Sequence, residues 1–253
     1  MRVLVATAVL VERDAVAAAF APSPTREYAI PGATLSRVAP AEGGPIVFDL
    51  LAAGVGPAAA AAATAAALTA AALNEQTDEQ TDDRTSGPYD LVVSAGIGGG
   101  FQPEAPVGSL VLADEITAAD LGAETADGFV PVTELGFGAV THRPPESLVR
   151  AVAAVTGART GAVLTVNTVT GSAERAAELR RRHPRALAEA MEGFGVAEAA
   201  TAHGVPVLEL RAVSNPVGPR DRAAWRIGDA LAALTGAFGK LAPALESWNP
   251  HDR

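Results

Sequence analysis

The stretch VSAGIGGGF, residues 93–101, is the one whose reading decides the fold. An apolar run entered through Asp90, Leu91 and Val92 leads directly into Gly96, Gly98, Gly99 and Gly100. Glycines at the carboxyl end of a strand let the backbone approach a ligand closely, and open α/β sheets line their crevices in this way. Taken alone, such a run reads first as a tight turn. It is not the dinucleotide fingerprint GxGxxG, because Pro103 and a second strand follow it where that motif needs a helix.

Outward from this point, apolar β-branched runs alternate with alanine-rich stretches. The spacing predicts strands over 2–7, 34–38, 45–52, 90–94, 109–116, 162–166 and 207–212. It predicts helices over 57–74, 145–156, 172–182, 184–202 and 221–241. The helix at Pro57 has the clearest start, since proline suits a position whose N–H has no partner and alanine has the highest helix propensity. The alternation implies an α/β fold, a central mixed twisted β-sheet flanked by helices. With 253 residues, about half of them apolar, the chain reads as one domain spanning 1–253. Residues 74–88, NEQTDEQTDDRTSGP, carry no aliphatic side chain and are expected to form a mobile polar loop.

Composition excludes several chemistries. Nineteen basic against twenty-nine acidic side chains give a net charge of −10, which repels nucleic acid and anionic lipid. No cysteine is present, so disulfides and thiolate catalysis are ruled out, and His142, His183, His203 and His251 lack metal-ligand spacing. No metal and no cofactor is expected. The apolar start MRVLVATAVL meets Glu12, Arg13 and Asp14 well short of the roughly 20 residues of a membrane span. The expected location is the cytoplasm.

Three further places carry candidate chemistry. Glu12 follows the first strand, where a carboxylate polarises water or simply complements a helix start. Met191-Glu192 sits in ALAEAMEGFGVAEAATAHG, where Gly193 and Gly195 cost helical propensity and imply close approach or an irregular helix start. A carboxylate there suits the paired hydroxyls of a ribose and equally a solvated helix face. Finally, RAVSNPVG, 211–218, puts Ser214, Asn215 and Pro216 in a turn beyond an apolar strand.

In order along the chain, these segments resemble the methylthioadenosine/S-adenosylhomocysteine nucleosidases and related nucleoside phosphorylases. The matching elements are Glu12, Gly54-Val55-Gly56 with its alanine helix, Ala95 to Phe101, the run VGSLVLADE from Val107 to Glu115, Thr168-Val169, Met191-Glu192 and Ser214-Asn215. The resemblance implies cleavage of a purine N-glycosidic bond through an oxocarbenium-like ribosyl transition state. It implies that Glu12 holds the attacking water and that Glu192 accepts from the ribose hydroxyls with Met191 packed on the sugar. Ala95, Gly96, Gly98 and Gly99 then lie along the nucleoside, Thr168 and Val169 face the base, and Asn215 meets the purine. It also implies a homo-oligomer, commonly a dimer.

The departures from the family pattern define the substrate. Adenine-specific members carry Asp where this chain has Asn215; an amide NH₂ donates to both N7 and O6 of a 6-oxopurine, so a hypoxanthine leaving group is expected. Phosphorylases bring Arg to the glycine-rich strand end, and 95–101 contains none, so water is the expected nucleophile. The hydrolytic members usually have Ser-Ala-Gly-Gly where Ile97-Gly98-Gly99-Gly100 stands here, which removes a hydroxyl. The expectation is a 6-oxopurine nucleosidase whose substrate bears a benzoate on its 5′ side, with His142 and Arg143 as candidates for that carboxylate. The competing readings are an adenine-releasing nucleosidase, a phosphate-dependent phosphorylase and a non-catalytic nucleoside-binding protein of the same fold.

Overall fold

The computed structural model describes residues 1–23, 25–38, 46–77 and 87–248. Twelve strands and six α-helices occur among them: β1 Arg2–Thr7, α1 Leu10–Ala18, β2 Arg26–Ile30, β3 Ala33–Val38, β4 Val47–Ala52, α2 Pro57–Thr77 and β5 Leu91–Gly100. There follow β6 Leu110–Ala118, β7 Gly122–Thr125, β8 Gly128–Pro131, β9 Thr141–His142, α3 Glu146–Thr156, β10 Arg159–Thr165 and α4 Ala173–Arg182. The chain continues with β11 Ala186–Ala190, α5 Gly193–Ala202, β12 Val207–Pro216 and, after a short 3₁₀ turn, α6 Ile227–Glu246.

The main sheet runs β11-β10-β6-β12-β5-β1-β4-β3-β2, and a further pairing of β11 with β5 closes the first five of these strands on themselves. The pairs β4–β1, β1–β5 and β5–β12 are parallel, whereas β12–β6 and β11–β5 are antiparallel. The sheet is therefore mixed, as expected. Strands buried on both faces read as continuous apolar runs, and RVLVAT of β1 is buried throughout. One face is covered by α1, α3 and α6, in a cluster that includes Leu234, Phe238 and Leu241 and the stacked pair Phe20 and Phe48, 4.8 Å apart. On the other face α2 and α5 pack through small residues, Ala60, Ala67, Ala71, Ala197 and Ala200.

The structure corrects four of the expectations. The glycine run is no turn: β5 extends through Gly100 because β12 pairs it on one side and β11 on the other. Ser214 and Asn215 likewise belong to the end of β12, where the register slips between Val213 and Asn215. The helix expected over 184–202 is a strand, β11, followed by α5. Its alanines fill a narrow interior, and the backbone is satisfied across the sheet, Phe101 N–H donating to Leu187 C=O at 2.9 Å. Lastly, α2 continues to Thr77, so the start of the expected loop at 74–88 is helical, and its residues 78–86 lie outside the described ones. Residue 45, the start of another expected strand, also lies outside them.

Candidate active site

The parallel strands β4, β1, β5 and β12 all point their carboxyl ends to one edge, and the residues singled out above gather there. This is where open α/β sheets bind ligands. β1 delivers the chain into α1, which begins at Leu10 without a conventional capping side chain. Glu12 fills that role by folding back: its Oε2 accepts from the N–H groups of Ala8 at 2.9 Å and Val9 at 3.3 Å. Its Oε1 accepts from the Ile97 N–H at 2.9 Å. Glu12 is 3% exposed, so it is a fixed carboxylate and not a solvated helix charge.

Opposite Glu12 stands Arg211. β12 pairs with β5 so that Glu209 faces Ser94 and Arg211 faces Gly96. A Cβ placed on Gly96 would lie 2.6 Å from Glu12 Oε1 and 2.9 Å from Arg211 Nη1. Glycine at 96 thus lets an acceptor oxygen and a cationic donor close in on one narrow slot above the strand. Arg211 is completely buried, donating through Nη1 to Glu192 Oε2 at 3.3 Å, through Nε to Glu209 Oε1 at 2.9 Å and through Nη2 to Ser94 Oγ at 2.9 Å. Burial opposes its charge, but the carboxylates of Glu209, Glu192 and Glu12 outweigh that effect and hold the guanidinium protonated.

Sequence reasoning missed this arginine and took the pocket to be free of basic groups. The readable signal was two opposite charges, Glu209 and Arg211, at an i, i+2 spacing inside an apolar strand, which puts both on one face. Three carboxylates, those of Glu12, Glu192 and Glu209, lie around this one guanidinium.

Glu192 occupies the N-cap position of α5, but its carboxylate turns away from the helix. Its Oε1 accepts from the Gly56 N–H at 3.3 Å and its Oε2 from the Met191 N–H at 3.3 Å, so α2, β11 and α5 meet on one carboxylate. The two glycines after it have distinct causes. A Cβ on Gly193 would collide with the carboxylate of Glu209, and one on Gly195 with the backbone of Pro57. Close approach, one of the two explanations open from the sequence, accounts for both.

Asn215 lies in register with Gly99, its Nδ2 3.4 Å from where a Cβ on that glycine would be. Its Oδ1 accepts from the Ser214 hydroxyl at 2.8 Å and its Nδ2 donates to the Pro216 C=O at 2.9 Å. The carbonyl partner fixes which end of the amide is NH₂ and leaves one N–H free, where two were expected. Ala95 and Gly96 are both buried, so of the candidates in this run Gly98 and Gly99 are the partly exposed ones; Gly98 is pressed against the Glu189 C=O and accepts at its own carbonyl from Ser214 Oγ at 3.3 Å.

Thr168 and Val169 are exposed just beyond β10, on a segment tethered by the next residue. Thr170 donates to the buried Glu189 through both its N–H, at 2.9 Å, and its hydroxyl. Burial raises the proton affinity of Glu189, and those two hydrogen bonds oppose the rise. His142 and Arg143 are engaged elsewhere. The imidazole lies 2.8 Å from Glu198 and 3.2 Å from Thr201 Oγ1, while Arg143 pairs with Glu115 at 2.8 Å beside a cleft of about 850 Å³ lined by Asp114, Val149 and Arg185. Among the described residues there is no cluster of His, Asp or Glu able to hold a metal ion, and no helix long and apolar enough to cross a membrane.

Fold and site together define a purine ribosidase-like member of the phosphorylase superfamily, whose family model matches residues 15–244. A methylthioadenosine/S-adenosylhomocysteine nucleosidase from Colwellia psychrerythraea, solved with adenine, superposes with a TM-score of 0.75 at 22% identity, covering 97% of this chain and 96% of that one. Futalosine hydrolase from Helicobacter pylori gives 0.75 at 17% identity, covering 96% and 97%. In sequence the chain is 74% identical to the futalosine hydrolase of Streptomyces coelicolor over the full length of both. It is also 47% identical to that of Acidothermus cellulolyticus over 161 residues, 62% of this chain and 66% of the relative. The chain belongs to the futalosine hydrolase family.

Proposed function

We propose that this protein hydrolyses the N-glycosidic bond of futalosine, releasing hypoxanthine and dehypoxanthine futalosine. The observation that carries the chemistry is the slot over Gly96, where Glu12 and Arg211 face each other with Glu192 alongside. A water in that slot donates to Glu12 Oε1 and accepts from Arg211 Nη1. Glu192 accepts from the ribose 2′- and 3′-hydroxyls, with Met191 against the sugar, and lends negative charge to the developing ribosyl cation. As the C1′–N9 bond breaks, its electron pair passes to the purine. The water oxygen bonds to C1′ and its proton goes to Glu12.

Asn215 supports the choice of a 6-oxopurine. Its free N–H donates to an acceptor of the base, N7 or O6, while its oxygen accepts from the Ser214 hydroxyl and so is turned towards a donor. An amide delivers no proton, so the base leaves as a hydrogen-bonded anion. Thr168 and Val169 lie along the base, on the segment held by Glu189.

We extend the proposal to a homodimer in the cytoplasm. Leu10 and Val11 at the start of α1 and Val55 ahead of α2 are 57%, 55% and 58% exposed, leaving apolar surface at the rim of the site for a second copy to cover.

Product chromatography with futalosine, aminodeoxyfutalosine, inosine and methylthioadenosine, each with and without phosphate, tests the function. Hypoxanthine from futalosine without phosphate is the expected result. Adenine release would overturn the reading of Asn215, and phosphate-dependent release would overturn the assignment of water as nucleophile.

A further inference from the structure

Glu209 has no part in the chemistry described so far, yet it is a fully buried carboxylate in the middle of it. It shares one face of β12 with Arg211 and lies beneath the first turn of α5, with one oxygen on Arg211 Nε. Its other oxygen, Oε2, is buried and finds no hydrogen-bond partner among the described residues. A carboxylate kept only to neutralise a core arginine would do better with both oxygens satisfied, and an apolar pair of equal volume would be as stable. Its retention therefore calls for another account.

The geometry of Arg211 supplies one. A guanidinium can turn about its Cδ–Nε bond, and each rotation moves Nη1 relative to Glu192 and to the slot over Gly96. Glu192 and Ser94 hold Nη1 and Nη2, but the contact to Glu192 is long, at 3.3 Å, and Glu192 has ribose hydroxyls to accept from. The 2.9 Å bond from Nε is the one restraint on the plane that substrate does not compete for on the carboxylate side. The fold makes room for it at a cost in helix propensity, since residue 193 must be glycine for the Glu209 carboxylate to fit.

We propose that Glu209 is a positioning residue, which fixes the plane of the Arg211 guanidinium so that Nη1 stays directed at Glu192 and at the slot over Gly96. Burial raises the proton affinity of Glu209, Arg211 opposes the rise and Glu192 adds to it. In either protonation state Oε1 remains an acceptor for Nε, so the role needs an acceptor oxygen and not a negative charge. Glutamine has that oxygen and leucine does not.

The inference rests on the hydrolase reading, and a mutant cycle on the full-length protein separates the two. Activity of the unmodified protein on futalosine is the first arm; its absence would sink the function and not the geometry. Glu209→Leu is expected to lower kcat by about 30-fold or more while KM changes by less than about three-fold, because the slot and not ground-state binding is disturbed. Glu209→Gln is expected to recover most of that loss. In a second arm, Glu209→Leu placed on Arg211→Lys should cost almost nothing further, since Lys has no guanidinium plane to hold. Thermal melts accompany each variant, and Glu209→Asp, which withdraws the oxygen from Nε but keeps the charge, serves the cycle if the leucine variant does not fold. Additive losses in the cycle, a glutamine variant as impaired as the leucine one, or unaltered kcat in Glu209→Leu would each overturn the proposal.

Discussion

Single atoms decide the chemistry of this site. Gly96→Ala puts a methyl group into the space between Glu12 Oε1 and Arg211 Nη1, and we expect kcat on futalosine to fall by about 100-fold or more, since displacements of about 1 Å cost that much. Steady-state kinetics beside a melting curve separates this from a folding defect. Asn215→Asp brings a carboxylate to the base and should move preference from hypoxanthine towards adenine, read as the ratio of kcat/KM on futalosine and aminodeoxyfutalosine. An unchanged ratio would remove Asn215 from base recognition. At this scale the sequence was partly legible. Glu12, Glu192 and Asn215, picked out by order and neighbourhood, lie near the strand ends, whereas Arg211 stayed hidden because a charge in an apolar strand gains its meaning only from the partner strand that sets Gly96 opposite it.

At the scale of elements, backbone pairing overrides propensity. The run ALAEA before Met191 has the composition of a helix, and it forms β11 because β10 and the extended β5 offer hydrogen bonds on both sides. Likewise α1 escaped notice: its N-cap is Val9, the carboxylate that accepts from the cap N–H groups is Glu12 in its own first turn, and its exposed Leu10 and Val11 break the amphipathic pattern. The long alanine helix and the central apolar strands, by contrast, could be read directly, since local composition and tertiary environment agree there. The contact of α5 with α2 is tight enough to test. A Cβ at residue 195 meets the Pro57 carbonyl, a backbone group with nowhere to go, so Gly195→Ala should destabilise the fold by about 1–3 kcal/mol in urea unfolding despite its better helix propensity. A stabilising result would mean that the helices separate more easily than their packing indicates.

For the molecule as a whole, the far side of the sheet carries its own buried charge centre. Asp49 on β4 receives Arg2 of β1 at 2.7 Å, Arg37 of β3 at 2.7 Å and the Tyr89 hydroxyl at 2.7 Å. Burial alone would raise the proton affinity of Asp49, but the Arg37 hydrogen bond and the charges of Arg2 and Arg37 prevail and hold it below its ordinary value of 3.8. A carboxylate depressed in the folded state stabilises above its unfolded pKa, and that contribution is lost as pH falls through the folded one. Stability should therefore decline below about pH 4 partly through this group. Asp49→Ala should lower unfolding free energy by about 3–5 kcal/mol at neutral pH, with a correspondingly weaker acid dependence, in denaturant titrations at several pH values. Equal acid dependence in the two proteins would refute the assignment. The proposed dimer is tested in the same spirit by sedimentation: Leu10→Glu should shift the protein towards monomer at micromolar concentration, and an unmoved distribution would place the interface elsewhere.

Strands β5 and β12 run ten residues each to Gly100 and Pro216, β12 with a register shift after Val213, and they carry Gly96 and Arg211 with them. Gly96 and Arg211 thus sit within the sheet, while Glu12 and Glu192 come from the starts of α1 and α5. Two segments lean on the strands from outside: residues 167–171, tied down by Thr170 on Glu189, and residues 217–226, which return to the strand through the Arg226 N–H on the Ser214 C=O at 2.8 Å. Under the proposed function, loosening the first tether by Thr170→Val should change the pace of turnover while the strand register beneath it stays as it is.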